Sequence, residues 1–152
     1  MSDCIFCKIL QRQIPSFPIW ENEEFIAILD AFPNTPGMTL ILSKQHYGSN
    51  PWALPAGMLE RAMPAARAVA QILEKGLGVN RVAMVVEGMG VNHFHIKLYP
   101  LHGVGEEWVP HLPEERRYQT QYEGYLNTLL GPPRSGEELA AMQKRLVAIA
   151  PS

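Results

Sequence analysis

The sequence predicts a single domain of mixed α and β structure, with short strands and one long amphipathic helix. Its 152 residues are enough for one hydrophobic core and few for two. Apolar and polar residues alternate over residues 90–100, as in a strand, whereas apolar residues recur at helical spacing over residues 55–75. We expect the strand at residues 90–100 to carry the functional site, because three nitrogen-bearing side chains share one of its faces.

The composition argues against several classes of protein. The net charge is −2 and no block of lysine and arginine occurs, so binding to a nucleic-acid backbone is not the expected function. No apolar run approaches the length needed to span a bilayer. The first residues lack the basic and apolar regions of a signal peptide, which favours a cytoplasmic location. We therefore expect a small-molecule ligand, with neither a nucleic acid nor a membrane as partner.

Two cysteines, Cys4 and Cys7, lie close to the start of the chain. In a reducing compartment this spacing favours metal binding or redox chemistry over a structural disulfide. Redox chemistry would place the pair at the start of a helix that follows a strand, and no strand is predicted before it. Zinc would require two further ligands, for which histidines are the obvious candidates. A pair of buried free thiols is the alternative.

Three strands are predicted before the long helix. After a short helical turn and connector at residues 9–18, apolar runs at residues 19–20 and 25–29 flank a polar segment. This pattern predicts a β-hairpin whose second strand is closed by Asp30. A third apolar run follows at residues 38–42, with a histidine just beyond it.

The helix at residues 55–75 contains Pro64, which we expect to kink or divide it. Gly76 is the predicted stop signal. A fourth strand is predicted at residues 82–86, so that a short link at residues 87–90 would connect it to the strand of the site.

The link at residues 87–90 contains Gly88 and Gly90. A tight hairpin turn is the favoured interpretation, and a row of backbone N–H groups open to an anion is the alternative. Beyond the link, His93, His95 and Lys97 would face one way and form a surface suited to a metal or a phosphate. A half-exposed strand with incidental histidines is the competing interpretation.

The chain after residue 100 carries weaker signals. Residues 114–130 are predicted to be partly helical, and residues 136–149 to form a C-terminal helix that packs on the domain or covers a dimer. His102 and His111 are expected to face solvent without a function.

Four segments in this order resemble the histidine triad (HIT) family over roughly the first two thirds of the chain. They comprise residues 4–9 with Ile14 and Pro15, residues 25–30, residues 36–46 and residues 91–100. The last matches the signature His-φ-His-φ-His-φ-φ except at Lys97. The resemblance implies an α+β fold, with an antiparallel sheet of about five strands and the long helix packed across it. Residues 1–102 would form the HIT-like nucleotide-binding core, and residues 103–152 an extension packed on the same domain.

The resemblance also implies chemistry at the α-phosphate of a nucleotide. In this family the second signature histidine, here His95, attacks phosphorus and forms a nucleotidyl-histidine intermediate. Lys97 stands where the third histidine would be, and Met38 stands where a histidine would follow Pro-Gly. Lys97 can still offer positive charge to phosphate, but Met38 cannot. We expect a nucleotide hydrolase or nucleotidyl transferase acting on a mononucleotide or nucleotide conjugate.

Two other functions remain open. A zinc-stabilised nucleotide-binding module with little turnover is favoured by the loss of two histidines. A small zinc-dependent nucleic-acid adaptor would use the same cysteines and histidines, but the sequence offers it no basic surface.

The ligand sets implied by the resemblance fall on particular residues of this chain. A closed structural zinc site would comprise Cys4, Cys7, His46 and His93. The apolar pocket for the base would comprise Ile5, Phe6, Ile9 and Ile28, with core packing as the alternative role of each. Asp30 would accept hydrogen bonds from the ribose hydroxyls, unless it only caps a turn. Members of the family commonly form homodimers through the long helix and an edge strand, so we expect a homodimer.

Overall fold

The computed structural model describes residues 3–111, 118, 120–122 and 131–149. Its five strands form one antiparallel sheet in the order β1-β2-β3-β5-β4. The strands are β1 (Pro18–Glu21), β2 (Phe25–Leu29), β3 (Thr39–Ser43), β4 (Val82–Val85) and β5 (His95–Pro100). The helices are α1 (Ile5–Leu10), α2 (Met58–Leu77) and α3 (Gly136–Val147), with a short 3₁₀ turn at Pro51–Ala53. The predicted α+β fold is confirmed.

The hairpin of β1 and β2 forms where the sequence predicts it. Asn22 accepts hydrogen bonds through Oδ1 from the backbone N–H groups of Glu24 and Phe25, at 3.0 and 2.7 Å. The side chain thus replaces part of the strand ladder in the turn, as asparagine commonly does. The apolar residues of β2 then alternate between the two faces of the sheet.

The long helix α2 covers one face of the sheet and forms the main hydrophobic core with it. Its buried side includes Ala62, Val69 and Leu73, none of which is exposed to solvent. Helix α2 continues unbroken from residue 58 to residue 77, so Pro64 does not divide it. The ring of Pro64 lies on the exposed side, where it does not disturb the packing against the sheet.

The prediction that Gly76 ends the long helix is wrong. Gly76 is buried inside α2, and the helix is capped by Gly78, which adopts a left-handed conformation with φ of 67°. A side chain at Gly76 would place its Cβ 2.5 Å from Cδ2 of Leu146 on α3. The glycine is therefore explained by the close approach of the two helices, which sequence spacing alone does not reveal.

The C-terminal helix α3 packs on α2 and on β1. It begins with a capping box in which Ser135 and Glu138 bond each other's backbone and side chain. Gln143 Nε2 donates to the carbonyl oxygen of Pro18 at 2.7 Å. Just before α3, the N–H of Gly131 donates to the carbonyl of Phe32 at 2.9 Å. Most of the helix predicted at residues 114–130 lies outside the described residues.

Three further predictions about local structure are wrong. The first helix is α1, which starts at residue 5 and includes Cys7, instead of a turn at residues 9–18. The link from β4 to β5 is a loop over residues 86–94 instead of a tight hairpin turn, and β5 begins only at His95. All six residues of β5 are buried, because β5 lies inside the sheet between β3 and β4 and both of its faces are covered.

None of the helices in the described residues combines the length and the apolar character that crossing a membrane would require.

Candidate functional site

The face of the sheet opposite α2 carries the predicted reactive residues. Three apolar side chains of β5 and of the residue before it are buried in the core beneath α2: Phe94, Ile96 and Leu98. His95, Lys97 and Tyr99 therefore lie on the opposite face, which we call the reactive face. Across β3, Leu42 pairs with His95 and Leu40 pairs with Lys97, and these two leucines belong to a second apolar cluster. The reactive face is thus an apolar surface interrupted by the polar residues of β5.

His95 is held in the tautomer that a nucleophile requires. Its Nδ1 lies 2.7 Å from the carbonyl oxygen of His93. Because a carbonyl can only accept, Nδ1 carries the hydrogen and Nε2 keeps a free electron pair. Burial lowers the pKa of His95, and the nearby charge of Lys97 lowers it further. The ring is therefore neutral near pH 7, and the edge-to-face ring of Phe6, 5.1 Å away between centroids, packs against it.

Lys97 does not offer a free charge to the site, because its Nζ lies 2.7 Å from Oε1 of Glu87. Both side chains are almost completely buried, with exposed fractions of 10% and 7%. Burial raises the pKa of Glu87, but the hydrogen bonds from Lys97 and from the N–H of Met89 outweigh it, so the net pKa is lowered. Lys97 and Glu87 therefore form a buried ion pair beside His95.

The sequence analysis did not identify Glu87 as part of the site. A signal exists in the register: Val85 of β4 pairs with Lys97, and Glu87 follows two residues later. A side chain two positions beyond Val85 would stay on the same face if the strand direction continued. The prediction of a tight turn at residues 87–90 concealed this relation.

Asp30 is buried at the end of β2, and its Oδ1 accepts the N–H of Phe32 at 2.8 Å. The turn role predicted as an alternative is thus observed, and ribose binding stays a prediction. Burial raises the pKa of Asp30, although the Phe32 N–H, Lys97 and His95 oppose the rise. Asp30 and the buried Met38 also line a cavity of about 250 Å³, together with Leu139 of α3.

Three of the four residues predicted to surround the base lie in one cluster. Phe6 and Ile28 are buried in the apolar cluster of the reactive face, and Ile9 packs against it. Ile5 lies on the outer side of α1 and is 46% exposed. The surface formed by Phe6, Ile9 and Ile28 is apolar and adjoins His95, as a base pocket would require.

The two glycines of the loop between β4 and β5 have different surroundings. Gly88 has φ of 68°, and a Cβ there would lie 2.7 Å from Ser49. The loop thus approaches Ser49 closely at a position where other residues would be strained. A Cβ built at Gly90 would meet no atom of the described residues within 4 Å. Their role in binding phosphate through backbone N–H groups stays a prediction.

The four predicted metal ligands meet at one place. The ligand atoms of Cys4, Cys7, His46 and His93 all lie within 4.8 Å of one another. Nδ1 of His93 lies 3.4 Å from Sγ of Cys4 and 3.2 Å from Nδ1 of His46. Nδ1 of His46 in turn lies 3.3 Å from Sγ of Cys7. A tetrahedral zinc ion with bonds of about 2.0 to 2.3 Å sets its ligands about 3.3 to 3.8 Å apart. The residues therefore fit a tetrahedral metal site.

The environment of His93 also suits a metal ligand. Its Nε2 donates to the carbonyl oxygen of Ser43 at 2.8 Å, so Nδ1, which points at the cysteines, carries the electron pair. Burial lowers the pKa of His93, which keeps the ring neutral. Burial, together with the neighbouring Cys4, raises the pKa of the Cys7 thiol. A bound cation would reverse that preference and favour the thiolate.

Comparison with known proteins identifies related sequences. The model of the HIT domain family matches residues 11–103. An uncharacterised HIT-like protein of Mycoplasma genitalium is 35% identical over 109 residues, covering 69% of this chain and 77% of that protein. The adenosine 5′-monophosphoramidase HNT1 of Saccharomyces cerevisiae is 35% identical over 98 residues, which cover 64% of this chain and 61% of the yeast protein.

Solved structures share the fold. A Zn-bound histidine triad family protein from Mycobacterium smegmatis has a TM-score of 0.70 at 20% identity, covering 97% of this chain and 93% of that one. A member of the HIT family from Bacillus subtilis has a TM-score of 0.61 at 27% identity, covering 72% of this chain and 84% of that one. The first of these likenesses extends over nearly the full length of the chain.

Proposed function

Because this chain belongs to the HIT domain family, we propose that it is a nucleotide hydrolase or nucleotidyl transferase that acts at an α-phosphate through His95. The yeast relative is named as an adenosine 5′-monophosphoramidase, and a phosphoramidase is an enzyme of this class. The observation that carries the proposal is the hydrogen bond from His95 Nδ1 to the carbonyl of His93. It leaves a neutral Nε2 with a free electron pair on a partly apolar face.

The proposed reaction has two steps. In the first, Nε2 of His95 attacks the α-phosphorus, an N–P bond forms, and the bond from phosphorus to the leaving group breaks. The leaving group departs with the electron pair of that bond and, if it is an amine, takes up a proton from solvent. The positive charge that develops on the ring is stabilised through Nδ1–H by the carbonyl of His93. In the second, water or another acceptor attacks phosphorus, the N–P bond breaks, and His95 regains its neutral form as the acceptor loses a proton.

The ion pair of Lys97 and Glu87 favours the alternative of a binding module with little turnover. A lysine whose charge is already matched by a buried carboxylate contributes less to a phosphate than a free lysine would. Met38, which offers no hydrogen-bond donor, acts in the same direction. The two functions differ in whether bound nucleotide is converted.

The distinguishing experiment uses nucleoside phosphoramidates, dinucleoside polyphosphates and nucleotide sugars as substrates. We expect wild-type protein to convert at least one of them and His95→Ala to be slower by about 10³-fold or more, since the attacking atom is lost. His111→Ala, at an exposed position, is the matched control. Binding of AMP or GMP without turnover of any substrate would establish the binding module instead.

The proposal includes a structural zinc ion held by Cys4, Cys7, His46 and His93. Support comes from the tetrahedral fit of these four residues. Zinc would join the N-terminal helix α1 to the segments that follow β3 and precede β5. All four ligands come from the protein, so this metal would have a structural role and no open position for substrate.

A homodimer and a cytoplasmic location complete the proposal. Among the described strands β4 lies at an edge of the sheet, and its partly exposed surface includes Met84, 44% exposed. An edge strand can pair with another chain. Reduced cysteines, which zinc binding requires, are typical of the cytoplasm. Light scattering coupled to gel filtration would measure the mass, and a monomer at micromolar concentration would contradict the dimer.

A further inference from the structure

Tyr99 carries an unsatisfied polar group on the reactive face. The residue is 7% exposed, and in the part of the chain that the structure describes its hydroxyl is the one buried side-chain polar atom without a hydrogen-bond partner. Buried hydroxyl groups normally have partners, because leaving one unpaired destabilises the fold. An unpaired hydroxyl in a candidate active site therefore points to a partner that arrives with the ligand.

The position of Tyr99 relates it to the predicted chemistry. It follows His95 and Lys97 at alternate positions of β5, so the three side chains share the reactive face. Thr39 of β3 pairs with Leu98, which brings the backbone of Met38 next to that of Tyr99 in the same register. Tyr99 therefore adjoins the position at which a histidine is replaced by Met38.

The charges around Tyr99 keep its hydroxyl protonated. Burial, with smaller contributions from the carboxylates of Asp30 and Glu87, raises the pKa of Tyr99 to about 12. The phenol is thus a hydrogen-bond donor throughout the physiological pH range. The neighbouring cation, Lys97, is bound to Glu87, and an ammonium group cannot accept the hydrogen of the Tyr99 hydroxyl.

We propose that Tyr99 contacts the substrate and that its hydroxyl donates a hydrogen bond to a phosphate oxygen of the bound nucleotide. This inference rests on the proposed function. A phosphate oxygen is favoured over a neutral acceptor, because hydrogen bonds to charged groups are roughly twice as strong as neutral ones. Tyr99 would thereby supply a donor that Met38 lacks, on the same face as the nucleophile.

The test is Tyr99→Phe, which removes only the hydroxyl. We expect AMP and GMP to bind about tenfold more weakly by calorimetry, the loss typical of a hydrogen bond to a charged group. Adenosine and guanosine, measured by competition, should bind as they do to wild type. The melting temperature should stay the same or rise, because the Tyr99 hydroxyl has no hydrogen-bond partner among the residues that the structure describes.

Tyr47→Phe is the matched control, since the Tyr47 hydroxyl is bonded to Gln45 in an exposed position. It should leave nucleotide affinity unchanged. Unchanged affinity of Tyr99→Phe for AMP and GMP would overturn the inference, as would an equal loss for the nucleosides, which would place the contact on ribose or base. A fall in melting temperature would overturn it too, by revealing an acceptor within the protein.

The outcomes separate this inference from the proposed function. If the wild-type protein neither binds mononucleotides nor converts their conjugates, both fail. If the wild type binds them and Tyr99→Phe does so equally well, only the role of Tyr99 fails.

Discussion

His93 and His95 are separated by one residue, yet the start of β5 between them gives them different surroundings. His93 lies before the strand, where its ring turns toward the cysteines and its Nε2 is held by the carbonyl of Ser43. His95 lies in the strand and faces the apolar cluster. The carbonyl of His93 links the two, because it fixes the tautomer of His95. A shift of His93 would therefore also affect His95.

The ion pair of Lys97 and Glu87 is the second residue-level feature of the site. A buried pair contributes little compared with apolar residues of the same size, but removing one partner leaves the other charge buried alone. Replacing either residue alone should therefore destabilise the fold more than replacing both.

We expect Lys97→Met to lower the free energy of unfolding at pH 7 by about 3 kcal/mol, because Glu87 would remain charged without a cation. The double variant Lys97→Met/Glu87→Gln should recover most of that loss. Urea unfolding of the wild type, both single variants and the double variant measures the coupling. Additive effects in this cycle would show that the two side chains do not interact.

The same pair gives the stability a definite dependence on pH. The pKa of Glu87 is lowered in the folded protein, so its contribution is complete above its ordinary value of 4.5 and is lost as the pH falls through the lower folded value. In Lys97→Met the buried carboxylate can become neutral by binding a proton. Because burial without the cation raises the pKa of this carboxylate, the difference between the variant and the wild type should begin to shrink above pH 4.5 and should shrink further as the pH falls below it.

Among the elements, α2 contains the clearest conflict between local preference and tertiary structure. Pro64 lies in its interior, where it cannot donate to the carbonyl of Glu60, one turn earlier. The helix nevertheless continues, because its apolar side is buried along most of its length against the sheet. Packing thus outweighs the backbone preference.

We expect Pro64→Ala to raise the free energy of unfolding by about 2 kcal/mol, since it restores the missing hydrogen bond in an exposed part of α2. Arg67→Ala, at an exposed position one turn later, should change it by less than about 0.5 kcal/mol. Thermal or urea unfolding measures both. A gain no larger than that of the control would indicate that the carbonyl of Glu60 is already satisfied.

The sequence predicts most elements correctly and fails where a close approach decides the outcome. Strands β1 to β4 and helix α2 follow from apolar periodicity, which reflects burial on one side. Gly76 was predicted to end α2, whereas Gly78 ends it, and the close approach of Leu146 explains why Gly76 is a glycine inside the helix. Glu87 was missed for a similar reason, since its pairing with Lys97 depends on the path of the loop at residues 86–94.

At the scale of the whole molecule, the cluster of four metal ligands connects distant parts of the chain. Cys4 and Cys7 belong to the N-terminal segment, whereas His46 follows β3 and His93 precedes β5. Helix α1 contributes Phe6 to the reactive face, so the metal would hold this wall of the proposed base pocket in place. The boundary between a core at residues 1–102 and an extension at residues 103–152 stays a prediction.

Removing the metal should therefore weaken both stability and nucleotide binding. We expect the purified protein to contain about one zinc ion per chain and a chelator to lower its melting temperature by about 5 °C or more. Hydrogen exchange should accelerate in α1 and remain slow in α2, which is held by the main hydrophobic core. Cys7→Ser should reproduce the effect without chelator, and protein purified without metal would contradict it.

The buried pair of Lys97 and Glu87 has a consequence for how this site can change over generations. A substitution at either position alone isolates a charge, so the intermediate sequence is less stable than both end points. Replacing both residues takes two substitutions, and the sequence that carries only one of them is less stable. Descendants of this chain should retain both residues or lose both, even when the rest of the loop between β4 and β5 diverges.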